Sequence, residues 1–482
     1  MDLKQLLDGN EIIINENILD IKEFVYDSRN AKEDSLFFAL KGKTSDGHSF
    51  VNDAYEKGVR AFVIEDDLDF KDDACYIKVK DTRKALSRMS NIFFSKASEH
   101  LKVIGVTGTK GKTTTANYIY EMLNIISIPT GIIGTNGAFY GNISEDIINT
   151  TPESYEIHRL FSNMIKAGMK FAVMEVSSQA LMLDRVSDVK FDLVIFTNIH
   201  RDHIGPKEHK DFDDYMNNKK KLFNMAPVAV INEDDEKIVE MASSTNAKLI
   251  GVSTKHETNY YAQNIEFSDD LINLYTNFEM NGKDYELPVV GIFNVYNAIQ
   301  MIASLEYFGI EDNIIRSNLH SLYVKGRMEL IQVNGRVFVL DYAHNQISLE
   351  STLNILNKYK TGKIITVVGT VGGRSEERRK ELAEVSSVLS DISIFTSDNP
   401  DYEDPLKICL EMKSYYSGKI EAIAEPDREK AIFKAYDLSN ENDIILIAGK
   451  GHEEYQIIKG EHVHYSDRES INKIIDREAV NS

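Results

Sequence analysis

The sequence predicts an α/β protein of three domains, with a central P-loop-type doubly wound sheet and a second doubly wound sheet towards the C-terminus. Three observations carry that expectation. From residue 102 to about 325, near-continuous apolar runs ("KFAVMEVSS", "FDLVIFTNI", "VAVINEDD", "AKLIGVST") alternate with helical stretches, as the strands of a buried parallel sheet do. A glycine-rich turn, "VTGTKGKTTT" (Val106 to Thr115), lies between one such strand and a helix. A second alternation then follows through "KIITVVGT", "ISIFTSDNP" and "DIILIAGKG". A length of 482 residues suits about three domains, with boundaries expected near 98 and 325: 1–98, 99–325 and 326–482.

Residues 1–98 carry short strand-like runs ("DSLFFAL", "AFVIE", "CYIKVKD") around a helical "SFVNDAYEKGV", and "RKALSRMSNIFFSKAS" reads as a helix leading into the next domain. The strand containing Val103 and Ile104 enters the glycine turn. Ala116, Tyr118, Ile119, Met122 and Leu123 leave it at helical spacing. That setting is what a phosphate-binding loop requires. Gly108, Thr109, Lys110 and Gly111 bring backbone N–H groups onto oxyanions, Lys112 adds a point charge, Thr113 offers a hydroxyl to Mg2+, and Thr114 begins the helix. A standard loop has its first glycine where Val106 stands; here glycines fall at 105 and 108. ATP or GTP binding is the expectation.

Two further strands end in polar clusters, where open α/β sheets hold their ligands. One ends in Glu175, Ser177 and Ser178, the next in Asn198, Asp202 and His203. Glu175, His203 and Thr113 together suit one or two Mg2+ ions. Past His203 comes "DYMNNKKKLF", a basic helical stretch with lysines at 219, 220 and 221. The third block offers "GRMEL" (Arg327), "DYAHN" (Asp341, His344), "GGRSEERR" (Arg374, Arg378, Arg379), "SDNPDYEDP" and "GKGHEEYQ". The last resembles a second phosphate loop.

A formal charge of −21 argues against a general nucleic-acid surface. Two cysteines, Cys75 and Cys409, supply no disulfide framework and fit a reducing cytoplasm. Neither a signal-peptide pattern nor an apolar run of roughly 18 residues is visible.

Taken together, "DSR" (Asp27 to Arg29), "GTKGKTT", "NTTPES", "MEVSSQAL", "NIHRDHIG", "NNKKKLF", "FNVYNA", "GRME", "DYAHN", "DNP..EDP" and "GKGHE.YQ" resemble the Mur ligase family. The closest likeness is to its MurE type, which adds the third residue of the peptidoglycan stem peptide. The off-register first glycine is the form this family uses.

The resemblance implies three domains: one holding the UDP-sugar end of the substrate, one binding ATP, and a Rossmann-like one bringing the amino acid. It implies ATP-dependent amide formation through an acyl phosphate on UDP-MurNAc-L-Ala-D-Glu, with Mg2+ and a lysine carbamylated by CO2. That lysine is Lys219, four residues after Tyr215. By motif position Ser28, Thr150, Thr151, Ser177 and Arg185 match contacts to the UDP-MurNAc-dipeptide. Asn297, Arg327 and Asp341 match ATP contacts, and Arg379, Asp398, Asn399, Pro400, Asp401, Gly449 and Glu453 match the amino-acid pocket. Lys112, Lys219 and His203 are the expected catalytic groups. The enzyme is expected to be a cytoplasmic monomer.

In family members that add meso-diaminopimelate, an arginine follows "DNP" and suits the ligand's second carboxylate. Asp401 stands there in this chain, and "HIGPKEH" is similar to L-lysine-adding members, so L-lysine is the expected amino acid. L-Ornithine and meso-diaminopimelate are the alternatives, the latter read by Arg374 or Arg378 if Asp401 only caps a turn. Rival readings are a folylpolyglutamate-type or cyanophycin-type ligase and, from another class, a P-loop nucleotide switch.

Overall fold

The computed structural model describes residues 1–9, 11–15, 19–42, 45–202, 204–205, 208–322, 326–373 and 376–481. Contacts group the chain into two compact units. One comprises Met1–Asn264, Glu279–Tyr285 and Phe293–Ser321; the other comprises Ile265–Phe278, Glu286–Ile292 and Leu322–Ser482.

In the first unit, an N-terminal sheet runs Ile12–Ile14, Cys75–Lys78, Ala61–Ile64, Ser35–Phe38, Glu23–Val25, with only the first pairing antiparallel. Alternation sorts its side chains. Leu36, Phe38, Val63 and Ile77 share one core with Ala85, Leu86 and Met89 of the helix Thr82–Phe93. Phe37, Phe62, Ile64 and Tyr76 point the other way, onto Val51 and Ala54.

The larger sheet of this unit holds parallel strands in the order Lys248–Ser253, Val228–Asn232, Leu193–Phe196, Lys102–Thr107, Phe171–Glu175, Thr130–Gly134. The strand that feeds the glycine loop therefore lies between two strands later in sequence. That is a switch point, where the chain ends on either side diverge and leave a crevice. Register completes the placement: Glu175 pairs with Val106, and Phe196 with Thr107. Beyond Thr130–Gly134 the sheet turns antiparallel through Gly137–Tyr140 and Ile143–Glu145. A simple strand-then-helix reading of this region misses that hairpin.

In the second unit the sheet order is Glu329–Val333, Arg336–Asp341, Ile444–Ala448, Ile364–Thr370, Ile392–Ser397, Ile423–Ala424. All pairings are parallel except the first, a hairpin whose Asn334 and Gly335 both take positive φ. Helices Gln346–Tyr359, Glu376–Leu389 and Pro405–Ser414 cover one face, and Arg428–Leu438 with Asp467–Asn481 the other. This is the doubly wound, Rossmann-like arrangement. A small hairpin, Tyr455–Ile458 with Glu461–His464, follows the strand that carries the "GKGH" turn.

Candidate active site

Glycine is required twice in the loop after Lys102–Thr107. Gly108 has φ +151° and a β-carbon there would fall 1.9 Å from Thr197 Oγ1; Gly111 has φ +81° and a β-carbon there would fall 2.7 Å from Asn297 Oδ1. Neighbouring strand ends clamp the loop. Thr109 N–H donates to Asn198 O at 2.9 Å, Lys110 N–H to Asn198 Oδ1 at 2.8 Å, and Thr109 Oγ1 lies 2.9 Å from the Tyr215 hydroxyl. Asn297 Oδ1 accepts from Thr115 Oγ1 at 3.1 Å, which ties the helix Ile292–Tyr307 to the loop helix. The Lys112 ammonium lies over the turn, 2.8 Å from Gly108 O and 3.1 Å from Thr109 O. Such a loop presents amides and one cation at a helix N-terminus, a seat for oxyanions.

Thr113 Oγ1 donates to Glu175 Oε2 at 2.8 Å, so the loop hydroxyl and the strand-end carboxylate meet. Glu175 also accepts from Thr135 N–H at 2.8 Å and from Thr135 Oγ1 at 3.2 Å. Thr135 in turn lies 3.2 Å from Thr150 Oγ1. Thr151 Oγ1 donates to Glu175 O at 2.8 Å and accepts from Ser177 N–H at 3.0 Å, while Arg185 binds Thr151 O at 3.0 Å and Glu153 at 2.9 Å. The strand end, the "NTTPES" segment and Arg185 thus form one continuous network beside the loop. Ser28 opens the turn Ser28–Asn30, capped by Asp27, and its carbonyl accepts from Lys57 Nζ at 2.7 Å. Two residues earlier, burial and the nearby Glu156 and Glu153 push the Tyr26 phenol above its usual range. On the preceding strand, the Phe24 ring lies 5.4 Å from that of Tyr155, which places this end of the N-terminal sheet beside the "NTTPES" segment.

Of the three adjacent lysines, Lys221 is exposed and Lys220 half-buried, while Lys219 is 2% exposed. Lys219 Nζ lies 2.9 Å from Gly108 O, 3.2 Å from Thr107 Oγ1 and 4.9 Å from the centre of the Tyr215 ring. Burial, then Lys112, hold its pKa well below the ordinary lysine value. Helix Phe212–Lys220 aims it inward, with Tyr215 and Asn218 on the same face. His203 lies outside the described residues, as does Arg374.

In the second unit Asp341 is buried, which raises its pKa, and it accepts from Met328 N–H at 2.9 Å and Thr352 Oγ1 at 3.2 Å. The Arg327 guanidinium lies 4.9 Å over the Tyr342 ring, and its buried Nε has no hydrogen-bond partner among the described residues. Gly449 N–H donates to Asp341 O at 3.1 Å, joining this cluster to the "DNP" segment, whose Asp398 and Asn399 are buried. Glu453 accepts from Lys450 Nζ at 2.8 Å and Asn399 Nδ2 at 3.3 Å. Arg379 is only 4% exposed; its Nη1 and Nη2 bind Glu403 and Glu411 at 2.6–2.9 Å, while its buried Nε has no hydrogen-bond partner among the described residues. It braces the turn whose Gly373 N–H donates to Glu403 at 3.1 Å.

Asp401 takes the turn-capping role that stood as the alternative to its charge reading. Asp401 sits at φ +52° after Pro400, and its carboxylate accepts the Gly460 N–H at 2.8 Å. It caps a turn. The "GKGH" resemblance to a phosphate loop fails, because Lys450 is fully buried and faces carboxylates. Sequence reasoning left out Lys450, Thr135 and Glu403. Lys450 stood within a quoted motif, but its local pattern suggested an anion ligand.

Residues 20–94 match the family model described as Mur ligase family, catalytic domain; residues 106–305 match the Mur ligase middle domain and residues 326–451 the Mur ligase, glutamate ligase domain. A protein of Clostridium perfringens named UDP-N-acetylmuramoyl-L-alanyl-D-glutamate--2,6-diaminopimelate ligase is 37% identical over 99% of this chain and 100% of its own. One of the same name from Aquifex aeolicus is 37% identical over 94% of each. A solved structure bearing that name aligns with a TM-score of 0.68 at 26% identity, covering 99% of both chains. The MurF ligase of Thermotoga maritima, at 19% identity and a TM-score of 0.63 over 96% of this chain and 99% of its own, shares the fold.

Proposed function

The chain belongs to the Mur ligase family, and on that premise we propose that it joins a diamino acid, meso-diaminopimelate, to UDP-MurNAc-L-Ala-D-Glu at the expense of ATP. The observation that carries the reaction type is the meeting of Lys112, Thr113, Glu175 and Lys219 around one glycine loop. Two anions, the γ-phosphate and the D-glutamyl carboxylate, must approach each other, and such a site cancels their repulsion.

In this reading residues 1–98 hold the UDP-sugar, 99–325 ATP and 326–482 the amino acid, supported by the three matched segments. Loop amides of Gly108 to Thr113 and the Lys112 ammonium seat the phosphates, with Thr114 and Asn297 completing the nucleotide contacts. The substrate carboxylate oxygen attacks the γ-phosphorus and ADP leaves. The amino acid's amine then attacks the acyl carbon, loses a proton, and phosphate departs. Thr150, Thr151, Ser177 and Arg185, already one network, orient the dipeptide. The Thr113 hydroxyl and the Glu175 carboxylate are hard oxygen donors that fit Mg2+, which when bound would neutralise phosphate charge. Lys219 faces neutral oxygens in a buried niche, suited to carbamylation: its neutral amine attacks CO2, a C–N bond forms, one proton leaves, and the amine becomes an anionic carbamate. Synthesis from such nucleotide-linked precursors places the enzyme in the cytoplasm.

Relatives of 34–37% identity over nearly the whole chain bear the 2,6-diaminopimelate name, and the turn-capping role of Asp401 gives that residue a structural reason to be present that does not depend on the amino acid. A second reading, L-lysine, keeps two observations in its favour: Asp401 stands where an arginine would meet a second carboxylate, and both Nη atoms of Arg379 are engaged by Glu403 and Glu411. ADP release with meso-diaminopimelate, L-lysine and L-ornithine, each with and without the UDP-MurNAc-dipeptide, tests both. Strict dependence on the dipeptide and highest kcat/KM with meso-diaminopimelate are expected. A preference for L-lysine overturns the amino-acid assignment, and dipeptide-independent hydrolysis overturns the ligase reading in favour of a nucleotide switch.

A further inference from the structure

Lys450 is fully buried, yet its ammonium is surrounded by acceptors: Glu453 Oε2 at 2.8 Å, Asn399 Oδ1 at 3.1 Å and Asp398 Oδ1 at 3.4 Å, with the Tyr455 ring centre at 5.6 Å. The backbone is shaped to turn it inward. Gly449 and Gly451 on either side have φ +114° and +54°, and a β-carbon on Gly451 would meet Gly326 O at 2.7 Å and Tyr342 Cβ at 2.9 Å. The acceptors are held elsewhere too. Asn399 Oδ1 receives Ile457 N–H at 3.0 Å, Glu453 Oε1 receives the Tyr342 hydroxyl at 3.3 Å, and Gln456 donates to Asp398 O at 2.8 Å.

Asp398 and Glu453 are two acids brought together where the described side chains leave them 5% and 13% exposed. Without a cation between them they would repel, and one would take up a proton or swing away. Lys450 cancels one of the two charges and leaves a net −1 on the three side chains together. That is the complement of one ammonium group.

We propose that Lys450 is a positioning residue for the amino-acid pocket. It fixes the Asp398, Asn399 and Glu453 side chains so that their remaining lone pairs receive an ammonium of the incoming diamino acid. This rests on the reading of "DNP" and "GKGHE" as the amino-acid pocket. The Lys450 ammonium is already engaged by Glu453, Asn399 and Asp398, so its charge is spent within the protein.

Lys450→Met is expected to raise KM for the diamino acid at least tenfold. KM for ATP and for the UDP-MurNAc-dipeptide should stay within twofold, as should the rate at which hydroxylamine traps the acyl phosphate, a step that needs no amino-acid pocket. Should Lys450→Met not fold, Lys450→Gln, which keeps a donor for Glu453, is expected to show a smaller rise in the same parameter. Glu453→Gln serves as the control on the pocket itself. A raised amino-acid KM in Glu453→Gln with an unchanged one in the Lys450 variants overturns the proposal while leaving the pocket intact. Unchanged KM in Glu453→Gln overturns the pocket reading, and the proposal with it. Parallel loss of hydroxylamine trapping would show a general structural role and overturn the proposal as well.

Discussion

Asp401 and Gly460 are joined across 59 positions of sequence by a hydrogen bond from the glycine N–H to the aspartate carboxylate at 2.8 Å. Asp401 N–H also donates to Ile457 O at 2.9 Å, and Lys459 N–H to Asp401 O at 2.8 Å. One residue in left-handed conformation thus pins the hairpin Tyr455–Ile458/Glu461–His464 to the "DNP" segment. Asp and Asn are the side chains that tolerate that conformation best.

Asp401→Asn is therefore expected to change kinetics less than twofold, because the amide oxygen still accepts the Gly460 N–H. Asp401→Arg should cost about 1 kcal/mol of stability through the lost hydrogen bond, and should raise KM for all three diamino acids alike. Selective loss of L-lysine use in Asp401→Arg would restore the charge reading.

Lys112→Ala is expected to lower ATP-dependent ligation by about 10²–10³-fold, the scale for removing one preorganised electrostatic group from a transition state. Affinity for the UDP-MurNAc-dipeptide, measured by calorimetry, should stay within a few-fold. Near-normal kcat would remove the loop from the chemistry.

Burial separates Lys219 from its neighbours, so Lys219→Ala should abolish turnover, whereas Lys220→Ala and Lys221→Ala should retain most of it. Short carboxylates added to Lys219→Ala should restore part of the activity by standing in for the carbamate. Intact-mass analysis in bicarbonate should show a CO2 adduct that acid removes. A fully active Lys219→Ala sinks the assignment.

What the sequence revealed follows from the range of the interactions involved. The phosphate loop was legible because glycines, lysine and threonine act within eight residues, and the strand ends because buried parallel strands are continuously apolar. Choosing among Lys219, Lys220 and Lys221 from burial needed the helix face, which tertiary packing decides. The hairpin Gly137–Tyr140/Ile143–Glu145 was missed because its outer strand is largely exposed and short. The partners of Asp401 and Lys450 were not legible for one reason: a local motif gives a side chain's charge but not its partner, and the partners lie at Gly460 and Asp398.

His158 gives a prediction about stability against pH. It lies on the helix Ser154–Lys166, directly after the "NTTPES" segment, fully buried against Phe161, and neither ring nitrogen has a hydrogen-bond partner among the described residues. Burial lowers its pKa from 6.5 to about 4, because a charged imidazolium would be stranded without water. The unfolded chain therefore takes up a proton at higher pH than the folded one does. Stability is unaffected by this group above pH 6.5 and is lost progressively as pH falls from 6.5 towards 4. At one unit below the unfolded pKa the loss amounts to about 1 kcal/mol. His158→Leu removes the titration while keeping an apolar side chain in the cavity. Wild type should thus lose more thermal stability between pH 7.5 and pH 5.5 than His158→Leu does, by about 1 kcal/mol, with all other titrations shared by the two proteins. Equal losses in wild type and variant would show that His158 is not held neutral by its surroundings.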